Sequence, residues 1–127
     1  MAYVTVIAML ALIEYLYFGV LVGAARGRTD IKAPAVTGDP AFERAFRAHQ
    51  NTMEQLVIFL PALYASAYFV TPMYAVVAGV VFMIGRAIYF RAYSQDAEKR
   101  GPGMMVTSVA NVALILGGLI GALLELF

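Results

Sequence analysis

Long apolar runs alternate with short polar connections along this chain, and the runs have the length of membrane spans. From Tyr3 to Ala25 the positions are overwhelmingly apolar, with one acidic residue, Glu14, in the middle. A run of roughly 20 such residues crosses a bilayer as a helix. Arg26-Gly27-Arg28-Thr29-Asp30 ends it, and Lys32 to Pro40, with Pro34, Gly38 and Pro40, reads as an irregular polar loop. A second helix is predicted from near Phe42, with Pro40 just ahead of its start. Its first turns are polar and its remainder, Leu56 to Val70, is apolar. Pro61 inside it removes a backbone donor and predicts a kink. Thr71-Pro72 leaves room only for a tight turn. Met73 to Phe90 is a third apolar run, with helical character predicted on through Lys99 until Gly101-Pro102-Gly103 stops it. Met104 to Phe127 is the fourth, interrupted by small polar residues and Glu125, and Gly117, Gly118 and Gly121 give it a smooth face for a close helix neighbour. The pattern predicts an all-α, integral membrane four-helix bundle in a single domain, 1–127, with spans near 3–25, 42–69, 73–96 and 104–126.

Composition agrees: 62% of the 127 residues are hydrophobic, 13% are charged, and the mean hydropathy is +0.79. That is a membrane protein's balance. The net charge of +1 says little, but its distribution says more. The basic residues fall in two windows, Arg26 to Arg47 and Arg86 to Arg100. Short basic loops stay in the cytoplasm. Both windows are therefore expected on the cytoplasmic face of a multi-pass protein, a bacterial inner-membrane one on this reading, with both termini opposite. The first run lacks a basic leader and is too long for a signal-peptide core, so it reads as a span.

The second and third helices carry polar stripes where hydrocarbon makes them expensive. Arg47, Asn51 and Glu54 stand at i, i+4 and i+7, flanked by Gln50 and Gln55. Arg86, Tyr89, Tyr93 and, if the helix continues, Arg100 form a matching stripe. Both lie at the cytoplasmic ends of their helices, which suggests one shared pocket. Arginine forks suit carboxylates, Glu54 suits an ammonium, and Asn51, Tyr89 and Tyr93 suit peptide and hydroxyl groups. A small, zwitterionic, peptide-like ligand with excess negative charge fits this set, and glutathione matches. The chain has no cysteine, so any thiol must arrive with the ligand. Against this stands simple pairing of Arg47 with Glu54. Tyr89 and Tyr93 taken alone fit an interfacial aromatic belt. His49 points away from the stripe and reads as an interhelical or solvated histidine ahead of a catalytic base. Glu14 is expected to meet a polar group on a neighbouring helix. One histidine and no cysteine argue against a metal site, and membrane burial argues against nucleic acid.

At these stripes the chain resembles the MAPEG family, membrane-associated proteins in eicosanoid and glutathione metabolism. The resemblance rests on Phe42-Glu43-Arg44-Ala45-Phe46-Arg47-Ala48-His49-Gln50-Asn51-Thr52-Met53-Glu54 and on Gly85-Arg86-Ala87-Ile88-Tyr89-Phe90-Arg91-Ala92-Tyr93 followed by Arg100, and it covers essentially the whole chain. It implies a homotrimer with glutathione between neighbouring subunits near the cytoplasmic face. Arg47, Asn51, Glu54, Arg86, Tyr89 and Tyr93 would line the site, Arg26 would reach in from the adjacent subunit, and Arg100 would stabilise the glutathione thiolate. Arg28, His49, Gln50 and Gln55 are further candidates. The chain departs from the family in three places. Gln55 stands where the leukotriene synthase pattern has tyrosine, Gly27 interrupts an arginine pair, and Gly101 follows Arg100 where the prostaglandin synthase pattern has a polar residue. The implied activity is glutathione transfer to lipophilic electrophiles, with lipid hydroperoxide reduction beside it. Alternatives are a lipid-binding scaffold, a prostaglandin-E-synthase-like isomerase and, on weaker grounds, a transporter, which the confinement of the polar residues to one face disfavours.

Overall fold

The computed structural model describes residues 1–127 as four helices and one short 3-10 turn: α1 (Ala2–Thr29), α2 (Pro40–Phe69), α3 (Pro72–Gln95), the 3-10 turn (Ala97–Arg100) and α4 (Gly101–Leu126). Helices α1, α3 and α4 are long and apolar enough to cross a membrane by length and composition. Helix α2 is as long, but Glu43, Arg44, Arg47 and Glu54 crowd its first half and only its second half is apolar.

Local chemistry sets the boundaries. Asp39 caps α2, its carboxylate accepting from the Ala41 and Phe42 amides at 2.8 and 3.1 Å, so the helix starts at Pro40, two residues before the sequence pattern suggests. It then runs unbroken through Pro61. Thr71 caps α3 through the Tyr74 amide at 3.1 Å, with Pro72 in the first turn, and this is the tight turn the sequence predicts.

The link to α4 differs from expectation. Asp96 is extended (φ −154°) and its side chain accepts from the Glu98 amide at 3.0 Å, which ends α3 at Gln95 and starts the 3-10 turn. Gly101-Pro102-Gly103 does not stop a helix but opens α4, where proline in the first turn lacks only an amide that needs no partner.

Helices α2 and α3 form the centre, with α1 and α4 on opposite sides of them and almost out of mutual contact. Two apolar clusters fill the interior. One joins Val4, Ile7, Leu56, Phe59, Leu63, Phe82 and Leu114. The other, toward the basic loops, joins Phe18, Val22, Phe42, Ala45, Tyr89 and Phe90. Between them lies a thin buried polar layer of Thr52, Arg86, Thr107 and Asn111. The small residues of α4 admit close neighbours, as the sequence suggests: Gly117 lies against the Tyr74 ring, Gly118 against Ala65 and Ser66, and Gly121 against Phe69.

Candidate functional site

A polar concavity lies on the bundle surface beside the buried layer, joined to it by the Arg86–Asn51 hydrogen bond. A cavity of about 660 Å³ is lined by Arg47 and Asn51 from α2, Tyr89 and Tyr93 from α3, Arg100 from the 3-10 turn, and Gly101, Met104 and Met105 from α4. Five residues picked out by spacing along the chain thus meet in one concavity.

Close helix approach positions them. At Gly103 a Cβ would fall on the Tyr89 backbone, and at Gly85 it would lie 2.8 Å from the Thr107 amide nitrogen. Only bare glycines let α3 and α4 come this near. The contact brings Arg100 beside Tyr93 even though the helix does not continue to it.

The α3 stripe is a ladder of cations and rings. The Arg86 guanidinium lies 4.2 Å from the Tyr89 ring centroid, Tyr89 stacks on Tyr93 at 5.5 Å, and the Arg100 guanidinium sits 5.9 Å from the Tyr93 ring. Such contacts contribute roughly 0.5–2 kcal/mol each, most where water is excluded. Arg100 also donates to the Ala97 carbonyl at 2.7 Å, which closes the 3-10 turn around it.

The α2 stripe is a hydrogen-bonded chain that begins in the core. Buried Arg86 donates from Nη2 to Thr52 Oγ1 at 2.8 Å and to Asn51 Oδ1 at 3.0 Å. With its oxygen so occupied, Asn51 donates from Nδ2 to Glu54 Oε2 at 3.1 Å. The other Glu54 oxygen stands 3.7 Å from Arg47 Nη1, which also donates to Gln50 Oε1 at 3.3 Å. The Arg47–Glu54 pairing weighed from the sequence is therefore present. Both side chains are about half exposed, at 54% and 44%, so the pair is weak and open to exchange.

The other candidates lie elsewhere. Gln55 turns to α4 and accepts from Asn111 Nδ2 at 3.0 Å. His49 stacks on Tyr15 of α1 at 4.3 Å, an interhelical histidine, with its Nε2 buried and without a partner. Arg26 donates to the Ile31 and Ala35 carbonyls at 3.2 and 2.7 Å and lies over Phe42, pinning the first loop to the end of α1. Arg28 borders a separate groove of about 220 Å³ with Ala41, Ala45 and Phe90. Neither arginine reaches the cavity of its own chain. Glu14 makes no direct hydrogen bond or ion pair. Spacing did not single out Thr52, the second acceptor for Arg86, nor Met104 and Met105, the apolar side of the cavity. Thr52 directly follows Asn51, but one position turns a side chain about 100° around a helix, off the stripe.

The site can therefore hold anionic groups at two guanidiniums, Arg47 of α2 and Arg100 of the 3-10 turn, and an apolar group against the methionines, with the Glu54 carboxylate beside Arg47 for a cationic group. A family model described as MAPEG family matches residues 4–120. The chain is 38% identical over 115 residues to human microsomal glutathione S-transferase 2, covering 91% of this chain and 78% of that one. It is 39% identical over 120 residues to an uncharacterized protein of Synechocystis, covering 94% and 88%. It is 32% identical over 94 residues to bovine leukotriene C4 synthase, covering 74% and 63%.

Proposed function

The chain belongs to the MAPEG family, and from that premise we propose that it is a membrane-bound glutathione transferase that conjugates glutathione to lipophilic electrophiles and reduces lipid hydroperoxides. The observation that carries the reading is the single cavity in which Arg47 and Arg100, from different elements, face Asn51, Tyr89 and Tyr93 beside an apolar wall.

Arg47 and Glu54 neutralise one another across a weak, half-exposed contact. A zwitterionic ligand replaces that contact with two of its own: a carboxylate for Arg47 and an ammonium for Glu54. Glutathione has the charges to do both, and Asn51 and the tyrosine hydroxyls offer partners for its amides. A second copy would bring its Arg26 from the end of α1 to complete the carboxylate site in a homotrimer, with the basic loops in the cytoplasm of a bacterial inner membrane.

Arg100 holds the sulfur. Its guanidinium stays protonated, so it acts as a fixed positive charge and not as a base. It favours ionisation of the thiol, whose proton leaves to solvent, and the thiolate is the nucleophile. In transfer, the sulfur lone pair forms the bond to the electrophilic carbon and the leaving group departs with its bonding pair. In hydroperoxide reduction, the thiolate takes the terminal hydroxyl oxygen as the O–O bond breaks, the departing alkoxide takes a proton from solvent to become the alcohol, and a second glutathione converts the sulfenic acid to disulfide and water. The electrophile enters from hydrocarbon past Met105, which is 69% exposed on the bundle surface.

Titration of the detergent-solubilised protein with glutathione tests this directly. Saturable growth of thiolate absorbance near neutral pH is expected. Absence of saturable binding would overturn the reading in favour of a lipid-binding scaffold.

A further inference from the structure

Arg86 is completely buried, yet only its Nη2 is satisfied; Nε and Nη1 have no partner. A cation in this position demands a nearby negative charge, because desolvation in an apolar interior is otherwise uncompensated.

The bundle supplies one through the register of α1 and α3. These helices run parallel, and their contacts keep a constant offset. Ile7 packs where a Cβ of Gly79 would lie, and Phe18 stacks on Phe90 at 4.2 Å with the rings 6° from parallel. Both pairs are separated by 72 positions in the sequence, and the same offset carries Glu14 onto Arg86. Ile7, Ala11, Glu14 and Phe18 follow one another at helical spacing on one face of α1, and Ile7, Ala11 and Phe18 are buried. Glu14 is the sole acidic residue of α1. Of the carboxylates, Glu54 reaches Arg86 through Asn51, and Glu14 is the one that the 72-residue register brings to it from α1. Glu54 lies beyond Asn51, at the rim, and is engaged by Arg47. The register sets Glu14 on the α1 face that packs against α3, level with Arg86. The two groups make no direct hydrogen bond, so their attraction acts through space, where low dielectric strengthens it.

We propose that Glu14 is a positioning residue: the counter-charge that keeps the Arg86 guanidinium turned so that its Nη2 holds Asn51 Oδ1. Asn51 is thereby locked with its amide donors toward Glu54 and the cavity. Glu14 touches neither glutathione nor the electrophile. It acts through Arg86 and Asn51, and its effect on catalysis rests on the glutathione reading above.

The test combines ligand binding with a melting cycle. Glu14→Gln, Glu14→Asp, Arg86→Met and the double variant Glu14→Gln/Arg86→Met are compared in detergent. Because the Arg86–Asn51 hydrogen bond loses its fixed orientation, Glu14→Gln weakens glutathione binding about tenfold, whereas the KM for the electrophile shifts less than about twofold. Glu14→Asp restores most of the affinity, since it restores the charge. In the melting cycle the double variant is more stable than the two single losses combined, because removing both charges leaves neither uncompensated. Wild-type glutathione affinity in Glu14→Gln, or strictly additive melting losses, overturns the proposal. Should Glu14→Gln fail to fold, the double variant decides: recovery of a monodisperse protein supports the pairing and failure to recover refutes it. If the wild-type protein itself does not bind glutathione, the functional reading falls, and the melting cycle still decides whether Glu14 balances Arg86.

Discussion

The contact between Gly103 and Tyr89 allows a sharp test of how the cavity is built. Replacing Gly103 with alanine adds one methyl group and nothing else. In an open helix position this substitution stabilises by about 1 kcal/mol, because alanine loses less conformational freedom. Gly23 of α1 is such a position, with nothing near enough to meet a Cβ. At Gly103 the new Cβ would stand 2.5 Å from Tyr89 Cα and 2.8 Å from Tyr89 Cβ, where 3.4 Å is the onset of ordinary contact. The obstruction is helix backbone, which does not rotate aside. Because the Tyr89 amide nitrogen lies closer still, helix α4 must retreat from α3 by about 1 Å at its first turn to restore ordinary contact. Overpacking of this kind costs about 1–3 kcal/mol. The retreat carries Arg100, Gly101, Met104 and Met105 away from Tyr89 and Tyr93. Misplacement of about 1 Å at reacting groups costs up to about 100-fold in rate. Glutathione conjugation of a chromogenic electrophile, with thermal melting of the same preparations, reads both effects. Gly103→Ala should melt below wild type and lose activity by about ten- to 100-fold, while Gly23→Ala melts at or above wild type and stays active. A Gly103→Ala protein that is stabilised like Gly23→Ala and turns over normally would refute the claim that this contact shapes the site.

Further outcomes follow from individual side chains. Arg100→Ala should abolish the thiolate absorbance of bound glutathione and slow conjugation about 20-fold at pH 7, since an unassisted thiol is only about 3% ionised there; Arg100→Lys retains part of the effect. Gln55→Leu removes the acceptor for Asn111 and should lower stability by about 1–3 kcal/mol with glutathione affinity unchanged, as measured by melting and titration. His49→Phe preserves the stack on Tyr15 and removes an unpaired nitrogen, so its pH–rate profile should match wild type; loss of one limb of that profile would establish a catalytic histidine. Thr52→Val leaves Arg86 Nη2 with Asn51 alone and should destabilise by about 1–3 kcal/mol.

Much of this arrangement is legible in the chain before any coordinates. Spacings of three, four and seven residues bring Arg47, Asn51 and Glu54 together, and likewise Arg86, Tyr89 and Tyr93, because helical periodicity is a local property. The two stripes could be matched because they occupy corresponding ends of neighbouring helices. Pairwise geometry across helices was less accessible. Gln55 sits next to Glu54 in sequence, but that single step turns it toward α4, where Asn111 carries no local mark of being its partner. The break at Asp96 depends on a side chain capping its own turn, a competition with the helix that periodicity does not register. Gly101-Pro102-Gly103 reads equally well as an end or a beginning, since proline is tolerated in a first turn and glycine is common past a last one. The structure resolves that ambiguity through the approach of α4 to Tyr89.

The polar half of α2 also bears on how the protein is made. A stable span needs roughly 20 apolar residues. Helix α2 offers an apolar stretch only from Leu56 onward, preceded by Arg44, Arg47 and Glu54. Left alone in the lipid it is a poor integrator. Its nearest remedy is α3, two residues away through Val70 and Thr71, whose Arg86 meets Asn51 and Thr52 as soon as the hairpin closes. The ligand-facing stripe thus makes membrane integration of α2 conditional on its neighbour. Substitutions that uncouple the hairpin should therefore show up first as lost protein at the translocon, before any assay of catalysis can be run.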